Sequence, residues 1–314
     1  MFLNKKLLTL GELMEMDKAS AGHKIGQMVG DWFEEYFVLL LLDKVASELG
    51  LFLDSRFKKR KTRGEKIIWA DAEGNEVDYD FVLELGGTEE KIGFPVAFFE
   101  TFWRRGSRHS KDKARDDTNK LLPMKYTYPT VRFLSIVAAG EFTNPAKEYV
   151  RSNGIELFYI TKKNIIDAFN KNGLIIDYPD KASEEEKNKI FNTFDSNFNK
   201  TTKEKVQMSL IELLGEKTID SYVSLIKLRL SSSPQQFSFV LKHSSLPLVF
   251  DSIEDANDFI ENGTIKMSNP SESFVYQVIY IDGTEFQKEV NTKEELKEIH
   301  QQMTLLYEYM KKIK

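Results

Sequence analysis

The stretch that most constrains this chain is VDYDFVLEL, residues 77–85. Val77, Tyr79, Phe81, Leu83 and Leu85 fall on one face, and Asp78, Asp80, Val82 and Glu84 on the other. That period of two belongs to a β-strand and does not suit a helix. A second strand, VAFFETFW over 96–103, follows a loop at 86–95 and carries Glu100 inside an otherwise apolar run. A glutamate in such a run is costly to bury unless it binds something. Two successive strands that each bring a carboxylate to the sheet therefore limit both the fold and the chemistry.

The elements around them spell out a mixed sheet. Residues 20–49 keep an apolar stripe at helical spacing through Ile25, Met28, Val29, Phe33, Phe37 and Leu41, with Gly50 as a stop. A basic stretch, RFKKRKTRGEK (56–66), leads to a short strand at 67–70, and DAEGNE supplies a turn. After Trp103 comes a basic helix-forming segment. The apolar run VRFLSIVAA (131–139) reads as a strand buried on both faces. AKEYVRSNG and KKNIIDAFNKNG read as helices on either side of a strand at 155–161. The order α-β-β-β-α-β-α-β-α predicts an α/β layer with antiparallel strands first and parallel crossovers later.

A boundary is expected near Tyr178-Pro179-Asp180, giving a first unit at 1–178 and a second at 179–314. The second opens with helices at 184–199 (capping box Ser183/Glu186), 202–214 and 217–230, then a linker at 231–234. Its last 80 residues hold a weak repeat: aligning Ser252 with Thr292 gives a period of about 40 residues. Each copy reads as two strands and a capped helix, which predicts a pseudo-symmetric four-stranded sheet with two helices. Asp282-Gly283 reads as a hairpin turn and nothing more.

Composition narrows the function. Of 314 residues, 41% are hydrophobic, enough for a folded core, and 44 Lys+Arg against 49 Asp+Glu rule out a polybasic nucleic-acid coat. Cysteine is absent and His numbers 4, which excludes thiolate chemistry and disfavours an all-His metal site. The longest apolar run, 37–42, is far short of a membrane span, and the N-terminus lacks the h-region of a signal peptide, so a cytoplasmic protein is expected. There is no G-x-x-x-x-G-K-[ST], no G-x-G-x-x-G opening a helix and no G-x-S-x-G elbow.

The residues point instead to phosphodiester chemistry. Asp78, Asp80 and Glu100 offer oxygens suited to Mg²⁺, which takes one or two carboxylates, waters and a phosphate oxygen. Beside them, residues 104–115 hold six Lys or Arg and His109, with Asp112 the only acid. Arg105, Arg108, His109 and Lys111 are candidate phosphate contacts, and RFKKRKTRGEK is a possible second patch. Trp103 is expected in the core.

VDYDFVLELGG followed by GFPVAFFETFWRRGSRHSKDKA resembles the PD-(D/E)XK nuclease superfamily, and within it a restriction endonuclease-like family with DYDFV, E-x-x-WRR and HS-x-x-K-A motifs. The resemblance spans about residues 20–170 and implies a restriction endonuclease-like core with a mixed central sheet flanked by helices. It implies Asp80 as the metal-binding aspartate and Glu100 as the second carboxylate, with Mg²⁺ as cofactor. It also exposes a departure: the lysine usual two residues after the Glu is Phe102 here. Lys113 is the first candidate to replace it and Arg104 the second, since 100, 102 and 104 share a strand face. Glu84, and Glu34 or Glu35 on the first helix, are candidate assistants to the metal.

The expectation is thus a Mg²⁺-dependent, sequence-specific DNA endonuclease of the restriction type. It would act on double-stranded DNA as a homodimer, alongside a cognate DNA methyltransferase and away from membranes, with residues 179–314 serving recognition or dimerisation. Two alternatives stand beside it: a structure-specific or partner-controlled repair or phage-defence nuclease, and a catalytically decayed DNA-binding protein.

Overall fold

The computed structural model describes residues 20–108, 110–241, 247–262 and 273–313. Its first element, α1, runs through residues 21–49 as Ala21–Trp32, a π-helical turn Phe33–Val38, and Leu39–Leu49. Ser20 caps its start and Gly50, in the left-handed region at φ 62°, ends it. Then come β1 (Phe52–Ser55), β2 (Ile67–Ala70), β3 (Glu76–Tyr79), β4 (Phe81–Leu85) and β5 (Phe94–Arg104). The pattern βαβαβα follows closely: α2 (Ser110–Thr127), β6 (Phe133–Gly140), α3 (Asn144–Ser152), β7 (Glu156–Thr161) and α4 (Lys162–Asn170).

Five strands form one sheet in the order β1-β4-β5-β6-β7. The β1/β4 and β4/β5 pairs are antiparallel, and β5/β6 and β6/β7 are parallel. The antiparallel-then-parallel order predicted from sequence is therefore present, with β1 added at the edge. β6 is buried along all eight residues, as its apolar run predicts. Alternate residues of β4–β7 feed two apolar clusters. Phe81, Leu83, Ala97, Phe99, Trp103 and Val137 pack with α1. Val82, Phe98, Phe102, Ile136 and Ala138 pack with α2, α3 and the β2–β3 ribbon.

The expected continuous strand at 77–85 is broken. β3 pairs with β2 in a separate two-stranded ribbon, whereas β4 joins the main sheet, and Asp80 sits at the break. The physical reason is local. Asp80 Oδ2 accepts from the Thr101 backbone N–H at 2.7 Å and from its hydroxyl at 3.0 Å. The side chain thus takes a donor that a continued ladder would have used, and a backbone donor satisfied this way lets the chain leave the sheet.

Beyond residue 178 the structure follows the sequence reading closely. Helices α5 (Glu184–Asn197), α6 (Lys200–Leu214) and α7 (Glu216–Ser231) precede β8 (Pro234–Leu241), β9 (Leu248–Phe250), α8 (Ile253–Asn262), β10 (Phe274–Tyr280), β11 (Glu285–Val290) and α9 (Lys293–Lys312). The capping box of Ser183 and Glu186 is formed, and Thr292 caps α9. The four strands make an antiparallel sheet in the order β11-β10-β8-β9, the two-helix, four-strand unit that the repeat implies.

Asp282-Gly283 is more than a turn. The Arg132 guanidinium, in the segment leading to β6, lies 3.3 Å from the Tyr280 ring centroid and donates to Thr284 Oγ1 at 2.6 Å. It pairs with Asp282 at 3.4 Å, and Arg229 reaches the same carboxylate at 2.9 Å. Burial opposes charge on Asp282, but hydrogen bonds from Thr284 and the two arginines outweigh it and hold its pKa down at about 2. The turn therefore pins the second sheet to the first. No helix among the described residues is long and apolar enough to cross a membrane.

Candidate active site

The fork where β3 and β4 part brings Asp80 beside the middle of β5. Glu100 lies there, 1% exposed, on the β5 face covered by α2. Its Oε2 accepts from Lys120 Nζ at 2.7 Å, while its Oε1 accepts no hydrogen bond among the described residues. Burial first, then the neighbouring Asp80 and Asp117 carboxylates, push the Glu100 pKa well above its ordinary value against the pull of Lys120.

Helix α2 supplies the cations. Lys113, Asp117 and Lys120 recur at spacings of four and three, which places them on one helix face. Lys113 Nζ donates to the fully buried Asp117 at 2.7 Å and lies 5.9 Å from the centroid of the Phe102 ring. Burial disfavours the Lys113 ammonium, but Asp117, Glu100 and Asp80 outweigh it and raise its pKa. A positive charge thus lies near the Phe102 ring, two residues after Glu100. Asp117 itself is pushed up by burial, which Lys113 and Lys120 oppose, and its Oδ2 has no hydrogen-bond partner among the described residues.

Helix α1 closes the other side. Its π turn carries Glu34, whose pKa is raised to about 8 by burial and by Asp80, against Arg56. Arg56 pairs with Glu34 at 2.5 Å and with Asp31 at 2.7 Å. π turns recur at functional sites because the inserted residue re-aims the side chains of a helix. Glu35 instead lies close enough to Tyr36 to raise that hydroxyl's pKa, after burial.

Not every expected residue joins this cluster. Asp78 remains on the ribbon, where it accepts from the Ile67 N–H at 3.0 Å and sits 3.8 Å from Lys66. Glu84, fully buried, is gripped through both oxygens by Arg60 at 2.5 and 2.8 Å and accepts from Gly93 N–H at 2.6 Å. Asp78 and Glu84 thus do not share the Asp80 site: the break at Asp80 sends one into the ribbon, and Glu84 has its own cation. Arg104 is exposed at the end of β5. Arg105 is engaged with Asp177 at 3.2 Å, Asp180 at 2.7 Å and the Tyr178 ring at 4.2 Å. Arg108 and Lys111 are exposed at the start of α2, and His109 lies outside the described residues.

The RFKKRKTRGEK stretch, read as a basic surface patch, keeps Arg56, Lys59, Lys61 and Lys66 exposed, but its arginines are engaged by carboxylates and Arg60 is buried. Arg60 and Arg63 bind Asp54 at 2.6 Å each, and Arg56 binds the α1 carboxylates. Sequence reasoning missed Lys120 and Asp117. Their spacing with Lys113 was the available signal, but Lys111, Asp112, Arg115 and Asp116 crowd the same helix with charge and hide the buried face.

The donor set suits a hard cation in kind. Asp80 and the unpartnered oxygen of Glu100 are the oxygen ligands that Mg²⁺ prefers, and their mutual repulsion is what a divalent ion relieves. Among the described residues no three carboxylate or imidazole groups gather to enclose a metal unaided. A Mg²⁺ site that keeps its waters and takes a substrate phosphate oxygen needs only one or two carboxylates. No protein-family model, no curated protein and no solved structure matches this chain.

Proposed function

We propose that this chain is a Mg²⁺-dependent DNA endonuclease, and that its residues 20–178 form a PD-(D/E)XK-type catalytic core. The observation that carries the reading is the half-buried Asp80 beside the buried Glu100 at the fork of the sheet, faced by Lys113 and Lys120 from one helix. The mixed sheet, with the acidic residues at the β4/β5 junction, supports it, as does the motif resemblance over residues 78–114.

In this reading Asp80 and Glu100 hold the metal. Mg²⁺, when bound, neutralises phosphate charge and lowers the pKa of a coordinated water. Thr101, through its backbone N–H and hydroxyl, fixes the Asp80 carboxylate. Lys113, aimed by Asp117, steadies negative charge developing on the scissile phosphate and takes the part of the lysine that Phe102 replaces. Arg108 and Lys111 at the exposed start of α2 contact the DNA backbone. The restriction-type reading assigns target recognition or dimer contacts to residues 179–314, and a twofold dimer would cut both strands of a palindromic site.

The test is digestion of unmethylated phage or plasmid DNA by the purified protein, with Mg²⁺ and with EDTA, beside Glu100→Ala. Discrete fragments that need Mg²⁺ and vanish in the variant support a sequence-specific nuclease with this site. A smear without bands favours a structure-specific or partner-controlled nuclease. Cleavage that survives Glu100→Ala overturns the site assignment. A second reading, a decayed DNA-binding protein, draws on Phe102 at the lysine position and on the ion pair that already engages Glu100. DNA binding without cleavage on methylated, unmethylated and branched substrates alike would select it.

A further inference from the structure

The two lysines of α2 are held in different ways. Lys113 is locked: its partner Asp117 is fully buried, one turn away on the same helix. Lys120 is held by Glu100, the one residue of another element with which it forms an ion pair among the described residues, and a third of its side chain is exposed. Its ammonium lies 5.8 Å from the Tyr79 ring centroid, and a long, partly exposed side chain can swing its head toward solvent without disturbing the core. Glu100 gains little from the contact. One ammonium meets one oxygen, the other oxygen is unpartnered, and the carboxylate is 1% exposed.

We propose that Lys120 is an internal counter-ion of Glu100 that a divalent cation displaces. This rests on the reading of the site as a metal centre. Without metal, the ammonium offsets repulsion among Asp80, Glu100 and Asp117, and the buried carboxylates do not unseat the fold. A divalent ion carries twice the charge and engages both strands, and on the unpartnered Glu100 oxygen it would stand within about 5 Å of the ammonium on the other oxygen, where like charges repel strongly in a buried site. Binding therefore moves Lys120 outward, where it comes within reach of a DNA phosphate. Lys113 stays in place, because its charge is matched by Asp117 and not by a metal ligand.

The experiment is Mn²⁺ binding by the full chain, followed through the spectrum of free Mn²⁺, for the parent protein, Lys120→Met and Glu100→Gln. Lys120→Met is expected to bind Mn²⁺ about tenfold more tightly, equivalent to about 1.4 kcal/mol, and Glu100→Gln to lose binding. Unchanged or weaker binding by Lys120→Met overturns the proposal while leaving the metal site intact. Absence of binding by parent and Lys120→Met alike overturns the metal-site reading together with it. If Lys120→Met does not fold, the parent protein decides. Acylation of Lys120 by an amine-reactive ester, read by mass spectrometry, should accelerate severalfold on saturation with Mg²⁺. An unchanged or slower rate refutes displacement.

Discussion

Two clusters of buried charge lie on the same sheet, one on each side of β4, and they are built on opposite principles. In the first, Arg60 uses every donor nitrogen. Nε reaches Thr88 O, Nη1 reaches Asp54 and Glu84, and Nη2 reaches Glu84 and Lys91 O. Arg63 completes Asp54, and the amide of Gly93 completes Glu84. In the second, Asp80, Glu100 and Asp117 share two lysines, and one oxygen each of Glu100 and Asp117 has no partner among the described residues. The first arrangement is what a buried ion pair needs in order to be tolerated. The second leaves charge uncompensated in a low-dielectric setting, as sites that bind ions or perform proton and phosphoryl chemistry do. Burial and acidity are common to both, so neither property identifies a functional site. The fraction of hydrogen-bonding capacity that is used is what separates the two clusters.

That contrast can be broken by substitution. The largest effect is expected at Arg60→Met, which strands the buried Glu84 and leaves Asp54 to Arg63 alone, and should lower unfolding free energy by about 3–5 kcal/mol in denaturant melts. A loss under 1 kcal/mol would show that the arginine network is not what holds β1, β4 and the 86–94 loop together.

Next is the pH dependence set by Glu34. Its pKa rises from 4.5 to about 8 on folding, so the native state holds its proton more tightly than the unfolded chain does. Stability from this group is complete below pH 4.5 and is lost as pH climbs through 8. The facing charges are Asp80 and Asp31, which raise the value, and Arg56, which lowers it. Glu34→Gln should remove on the order of 2 kcal/mol of that alkaline fall. Identical stability–pH curves for parent and variant would refute the assignment.

Glu100→Gln sharpens the comparison from the other side. The carboxylate is poorly satisfied, so replacing its charge should shift stability by no more than about 1 kcal/mol, whereas the same change at Glu84 should cost about 3. Equal losses at both positions would erase the distinction between the clusters. The smallest effect is expected at Lys111→Ala: slightly weaker DNA binding on all sequences, with a salt slope reduced by about 1. A change in sequence preference would contradict a backbone role.

Much of this was legible in advance. The doubly apolar run at 131–139 and the capping residues Ser183 and Thr292 each specify local structure by themselves, because spacing and side-chain chemistry act over a few residues; the alternation of 77–85 gave strand but not a single face, since Tyr79 and Phe81 join different core clusters. Asp80 and Glu100 stood out for the same reason: a carboxylate in an apolar strand is conspicuous in one dimension. The β1 strand was not seen, since FLDS is only four residues long and lies in a sheet edge recognisable only from its partner β4. Nor did the alternation of 77–85 disclose that the chain changes sheet at Asp80, because the bond that causes it comes from Thr101 on another strand.

The basic segments show where sequence stops. RFKKRKTRGEK and RRGSRHSKDKA look alike as strings of cations. In the fold, Arg56, Arg60, Arg63 and Arg105 face carboxylates on other elements, 6 to 75 positions away, while Arg108 and Lys111 face solvent. The sequence alone determined most of the element order and the two carboxylates in apolar surroundings, matters of residue type and short-range spacing. Only the tertiary structure decided which charges neutralise one another. A charge's fate depends on partners that can lie 150 positions away, as Asp282 does from Arg132, and on whether water can reach it, and neither is written in the neighbouring residues.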